Sequence, residues 1–192
     1  MSSAHMHVTD DNDSLAEMLG YLLEQLILHK LNKNQIITIG LSGGSLVDLL
    51  ASMLPRLQLP WTYDSTYGNY QSKLFRQLPL TENNIIKIDP NLETVEECAK
   101  DYQNKLQEAL NDEDKSFDIV LLGMGPDGYI ATEPVTLTLD TINRAKYKIV
   151  VITGETKSTT IKEVLREKNK TYPISQINNL VWYHDKAAAK HL

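Results

Sequence analysis

The chain has 192 residues, with 19 Lys and Arg against 25 Asp and Glu, a formal charge of −6 and a pI near 5.4. That balance excludes general nucleic-acid binding, which needs a basic face, and no apolar run reaches the roughly 20 residues of a membrane helix. The apolar fraction of 42% and charged fraction of 23% are those of a globular protein, and the length fits one domain over 1–192 with a core of its own. Cys98 is the one cysteine; it excludes a disulfide framework and fits a reducing compartment, with the cytosol as the default.

In chain order, the polar, acidic stretch 1–13 does not read as a secretory signal. Residues 14–31 predict an amphipathic helix, because Leu15, Met18, Leu19, Leu22, Leu23, Leu26 and Ile27 recur at helical spacing. Ser14 and Glu17 offer it a capping box. The apolar, β-branched run 35–41 predicts a buried strand, broken at Ser42-Gly43-Gly44-Ser45 and followed by a helix over 46–53. A second strand is expected at 84–88 and a helix at 93–111, with Cys98, Tyr102 and Leu106 on one face. Residues 117–122 (FDIVLL) and 148–153 (KIVVIT) predict core strands. A helix-linked segment begins at 136–142, a helix covers 157–167, a last strand covers 180–183, and a short helix closes the chain at 186–191. Apolar strands alternating with helices predict an α/β fold, a doubly wound, mainly parallel sheet with helices on both faces.

Ligands of such sheets sit beyond the carboxyl ends of the strands. Three expected strands end in glycine turns, after Leu41, Leu122 and Thr153. In the first turn, Gly43 and Gly44 would let an anion approach the backbone while the following helix offers unpaired N–H groups, and Ser42 and Ser45 could add hydroxyls. The same turn reads equally well as a tight connection in which Ser45 caps the helix. The second turn, Gly123-Met124-Gly125-Pro126-Asp127-Gly128, is rigid and sharply bent. Pro-Asp-Gly is a favoured turn sequence, but three glycines after a core strand favour a functional loop, with Asp127 orienting a base or meeting a substrate hydroxyl. Lys157 falls in the first turn of a helix, against the dipole. By itself it reads as solvated, whereas a bound anion would explain its place.

Five histidines are available for acid–base work. His5 and His7 fall in a terminus read as mobile, His29 ends a helix, and His184 beside Asp185 reads as a satisfied surface residue. No histidine lies in a glycine loop, and no pair has zinc spacing with a third ligand, so no metal is expected. Cys98, placed mid-helix, makes a poor nucleophile.

Six segments in order, ITIGLSGGSLVDLL (37–50), DSTYGNYQSKLF (64–75), FDIVLLGMGPDG (117–128), VTLTLDTINRAK (135–146), VVITGETKSTTIKEVL (150–165) and VWYHDKAAAKHL (181–192), together resemble the 6-phosphogluconolactonase family. The resemblance implies cofactor-free and metal-free hydrolysis of 6-phospho-D-glucono-1,5-lactone to 6-phosphogluconate in the pentose phosphate pathway. It implies that Ser42, Gly43, Gly44, Ser45 and Lys157 hold the substrate phosphate, that Gly125 and Gly128 shape a substrate loop, and that Asp127 supports the catalytic base. The partner expected is a small sugar phosphate, neither nucleic acid nor membrane, bound by a monomer or weak homodimer.

The chain departs from that family's pattern at its loops. Only Thr62 and Tyr63 separate Trp61 from the segment beginning at Asp64, where the family has a further strand and an Asp-Glu-Arg loop. Tyr129 follows Gly128 where the family has the histidine taken as general base, and a tyrosine there makes a poor base at neutral pH. Pro134 stands where an arginine is usual, and the loop before the last strand is cut to 177–179. The related glucosamine-6-phosphate deaminases carry a His-Ile-Ala and Asn-Glu-Pro run that residues 129–134 resemble superficially. The segments at 64–75 and 181–192 favour the lactonase. Two accounts of the missing pieces stand: a shortened chain that binds sugar phosphate without hydrolysis, or a longer natural chain from which mobile loops are omitted, with Tyr129 then entering the next strand. The second is the expectation here. An intact mass well above 21.7 kDa would support it, and a match to that mass would contradict it.

Overall fold

A computed structural model of the chain describes residues 5–33, 35–43, 45–57, 84–89, 91–110, 115–130 and 136–192. Five parallel strands, β1 (His5–Thr9), β2 (Ile39–Leu41), β3 (Ile119–Gly123), β4 (Tyr147–Ile152) and β5 (Val181–Asp185), form a sheet in the order β1-β5-β4-β3-β2. Period-two alternation divides its side chains between two cores. Ile119, Leu121, Ile149, Val151 and Tyr183 face helices α1 (Asn12–Leu31) and α2 (Leu46–Met53). Val120, Leu122, Val150, Ile152 and Trp182 pack on the other face with Ile142 of α4 (Leu139–Arg144) and with Ile161 and Val164 of α5 (Ser158–Leu165). Strands covered on both faces have no polar side to show, which is why their sequences are continuous apolar runs. The expected α/β architecture is present.

Local chemistry sets the element ends. Asp11, rather than the expected Ser14–Glu17 pair, caps α1, its carboxylate accepting from Ser14 N–H at 2.8 Å. A capping box does occur at α3 (Val95–Ala109), between Thr94 and Glu97. Buried Lys148 donates to the carbonyls of Asn143 and Ala145 at the end of α4, where a cation meets the negative pole of the helix. Burial pushes its pKa down.

Three expectations are corrected. The amino-terminal stretch holds an edge strand: His5 through Thr9 pair in register with Val181 through Asp185, and His7 stacks on Tyr183 with ring centroids 4.5 Å apart. Residues 84–89 contain no strand, since an apolar pair such as Ile85-Ile86 becomes one only beside a free sheet edge. Residues 186–191 close in turns, not a helix. Asp185 accepts there from Ala188 N–H, and Lys190 and Leu192 bond three residues back. Such a stretch is too short to propagate a helix.

At the amino-terminal end of β3, the buried Asp118 carboxylate accepts from Thr38 N–H and Thr38 Oγ1 and pairs with Lys30 at 2.8 Å and Lys146 at 3.1 Å. It ties α1, β2, β3 and the start of β4. Burial alone would raise its pKa, but Lys30, the Thr38 amide and Lys146 outweigh burial and hold it below the usual value of 3.8. A depressed carboxyl contributes stability above its unfolded pKa and loses it as pH falls through the folded one. Asp118→Ala is expected to lower unfolding free energy by about 2–4 kcal/mol at pH 7, and to flatten the acid limb of stability below pH ~4, both read by urea titration.

Candidate active site at the strand ends

Parallel pairing brings the carboxyl ends of β2, β3 and β4 side by side, and their turns meet there. Ser42 continues the β2–β3 ladder, its N–H donating to Leu121 O at 3.0 Å. Its Oγ accepts from Gly123 N–H at 2.6 Å. A Cβ on Gly123 would lie 3.2 Å from the Gly43 carbonyl oxygen and 3.6 Å from Ser42 Oγ, so glycine at 123 is what allows the first two turns to touch.

The third turn joins them through Lys157. Gly154, at φ 90, lies in a region that only glycine enters without strain. Its N–H donates to both carboxylate oxygens of Asp185 at the end of β5. The short 3₁₀ turn Glu155–Lys157 then sends the lysine inward, where 8% of it is exposed, and its Nζ donates to Ser45 Oγ at 3.2 Å. Burial pushes the ammonium pKa down, and Asp185 partly opposes the shift. The sequence-based alternative of a solvated lysine is therefore corrected. Ser45 occupies the N-cap position of α2, yet its side chain does not cap the helix. The first-turn N–H groups of α2 have no carbonyl within the helix to accept them, and the hydrogen-bond partner of Lys157 among the described residues, Ser45 Oγ at the N-cap, is neutral.

The Asp127 turn follows β3 and is tied through Pro126 to Thr160 of α5, the helix after Lys157. Asp127 is exposed and folds back on its own loop, Oδ1 accepting from Tyr129 N–H at 3.2 Å. The loop closes by Gly125 N–H to Tyr129 O and Gly128 N–H to Gly125 O. Gly125 leaves room for the carboxylate, because a Cβ there would lie 2.5 Å from Asp127 Oδ1. Tyr129 and Ile130 are not in a strand, so Tyr129 belongs to the turn. Gly44, Trp61, Pro134 and the segment 64–75 that carries part of the family resemblance lie outside the described residues.

Sequence reasoning missed three residues. Asp185 holds the Gly154 turn, and Thr160 and Tyr172 hold the Asp127 turn: Thr160 Oγ1 donates to Pro126 O at 2.6 Å, and the Tyr172 ring lies where a Gly128 side chain would be. Periodicity could not find them, since each acts across at least 30 residues of sequence. His184 also differs from expectation. It is fully buried, and neither ring nitrogen has a hydrogen-bond partner among the described residues.

Fold and site together define a parallel α/β scaffold with glycine turns gathered around a buried cation. The family model described as glucosamine-6-phosphate isomerases/6-phosphogluconolactonase matches residues 60–132 and 131–182, and the chain belongs to that family. It is 31% identical over 237 residues to the rat 6-phosphogluconolactonase, covering 93% of this chain and 91% of that one. It is 32% identical to the human 6-phosphogluconolactonase over the same length, covering 93% and 92%. An alignment of 237 positions is longer than the 192-residue chain, so these relatives carry internal segments that this chain lacks. Among solved structures, the 6-phosphogluconolactonase of Thermotoga maritima superposes with a TM-score of 0.79 at 19% identity, covering 95% of this chain and 100% of that one. A monomeric glucosamine-6-phosphate deaminase gives 0.77 at 16%, covering 98% and 100%. The likeness in fold thus extends to both activities.

Burial pushes the His184 pKa below its ordinary 6.5, with Asp185 opposing in part. The folded state disfavours the proton, so this residue's contribution is greatest above the unfolded pKa and falls as pH drops through and below it. His184→Leu is expected to raise stability by about 1–3 kcal/mol at pH 7.5 and by more at pH 5.5. Equal urea midpoints for the two proteins at both pH values would contradict this.

Proposed function

We propose that the chain hydrolyses 6-phospho-D-glucono-1,5-lactone to 6-phosphogluconate. What carries the reading is the sequence relationship, near 31–32% identity along most of both chains, to proteins named 6-phosphogluconolactonase. The geometry agrees at the phosphate end. A phosphate at the start of α2 would meet the positive pole of the helix, and it would give buried Lys157 the opposite charge that Ser45 Oγ does not supply. Ser42, Gly43, Gly44 and Ser45 are the residues we assign, with Lys157, to hold the phosphate.

In the reaction, water adds to the lactone carbonyl carbon, the bond from that carbon to the ring oxygen breaks, and the ring oxygen leaves as the sugar hydroxyl. The added water gives up its protons, one to that hydroxyl oxygen and one to solvent as the acid ionises. Asp127, carried on the turn beside the phosphate site with Gly125 and Gly128, is the residue we assign to support the base that takes the first proton. None of the described helices is long and apolar enough to cross a membrane. We place the activity in the cytoplasm, in a monomer or weak homodimer.

The test is a paired assay of lactone hydrolysis above the spontaneous rate and of 6-phosphogluconate binding. Hydrolysis together with binding is expected. Lys157→Met should weaken 6-phosphogluconate binding about 10- to 100-fold, the range for losing a charged hydrogen bond. Binding without hydrolysis would leave a sugar-phosphate binder, and ammonia release from glucosamine 6-phosphate would replace the lactonase by the deaminase.

A further inference from the structure

Helix α5 does more than carry Lys157 on the turn before it. One of its side chains reaches the Asp127 turn directly, and a second reaches it through Tyr172. Thr160, 6% exposed, donates its hydroxyl proton to the Pro126 carbonyl at 2.6 Å. Glu163 accepts from Tyr172 Oη at 2.5 Å. So held, the Tyr172 ring lies against Gly128, where an added Cβ would come within 2.3 Å of Cδ1 and 2.9 Å of Cε1. Gly128 has φ +75, a conformation that L side chains rarely adopt. The turn is therefore clamped on both sides of Asp127: at the residue before it by a hydroxyl, and at the residue after it by an aromatic ring. Glu163, the acceptor, also raises the Tyr172 pKa through this hydrogen bond.

We infer that Thr160 and Tyr172 are positioning residues, which fix the Asp127 turn onto the helix that follows Lys157 and so set the distance between the phosphate-holding and reaction-supporting parts of the site. The inference rests on the proposed hydrolysis for its kinetic reading but not for its structural one. A turn free to shift by about an ångström would still let the phosphate bind while misaligning the group that acts at the carbonyl, and such misplacement costs rate rather than affinity. Thr160→Val removes the donor at nearly constant volume. Thr160→Ser keeps it. Tyr172→Ala removes the ring, and Tyr172→Phe keeps the ring and drops its tether to Glu163.

The experiment measures kcat and KM for lactone hydrolysis, 6-phosphogluconate binding and amide hydrogen exchange over residues 123–130, in the whole chain and these four variants. Thr160→Val and Tyr172→Ala are expected to lower kcat about tenfold or more, with KM and 6-phosphogluconate affinity within twofold, and to speed exchange at Gly125, Asp127, Gly128 and Tyr129. Thr160→Ser should restore most of the rate, and Tyr172→Phe should lie between Tyr172→Ala and the parent. If Tyr172→Ala does not fold, the Thr160 pair decides the outcome. Unchanged exchange at the turn would overturn the inference, as would a loss borne by KM with kcat intact. Should the parent chain hydrolyse no lactone, the proposed function fails, and exchange at the turn still decides whether these residues position it.

Discussion

The chain buries a lysine ammonium at the ends of its strands and gives it a hydroxyl as partner. Taking a cation out of water is costly unless an opposite charge or several hydrogen bonds replace its hydration. Here Asp185 offsets part of that cost at a distance, and Ser45 Oγ supplies a single neutral contact. The rest of the site follows from this. Asp185 is held at the end of β5 with Gly154 and Ala188 amides on its carboxylate, the Gly154 turn aims Lys157 inward, and the positive pole of α2 points to the same place. An anion between them would complete both halves, the cation and the helix end, at once.

The sheet makes this possible because its strands are parallel. Parallel pairing of β2, β3 and β4 gathers three strand-to-helix turns at one end of the sheet. Gly123 meets the Gly43 carbonyl and Gly128 meets the Tyr172 ring. The opposite end of the sheet is fastened by different chemistry, a buried carboxylate shared between Lys30, Lys146 and Thr38. The shared carboxylate and the candidate site thus lie at opposite ends of the same strands.

Most of the fold was legible in the sequence, because strands buried on both faces leave unbroken apolar runs at 119–122 and 149–152. What escaped was set by partners far along the chain. The edge strand His5–Thr9 has a polar sequence and extends because β5 offers it a ladder, and residues 84–89 have an apolar sequence without one. In the site, Ser42, Ser45 and Lys157 were legible as turn residues, but what their polar atoms touch was not. Nothing local shows that Ser42 Oγ accepts from Gly123, that Lys157 is buried against Ser45, or that His184 is sealed in without a partner.

A crystal structure of the chain with 6-phosphogluconate bound tests the central claim most directly. The account predicts the phosphate within hydrogen-bond distance of Lys157 Nζ, Ser45 Oγ and the first N–H groups of α2, with the carboxylate end of the ligand towards the Asp127 turn. A phosphate seated elsewhere, for example in the cavity of about 380 Å³ lined by Lys168, Lys170 and Trp182, with Lys157 still bonded to Ser45 alone, would contradict it.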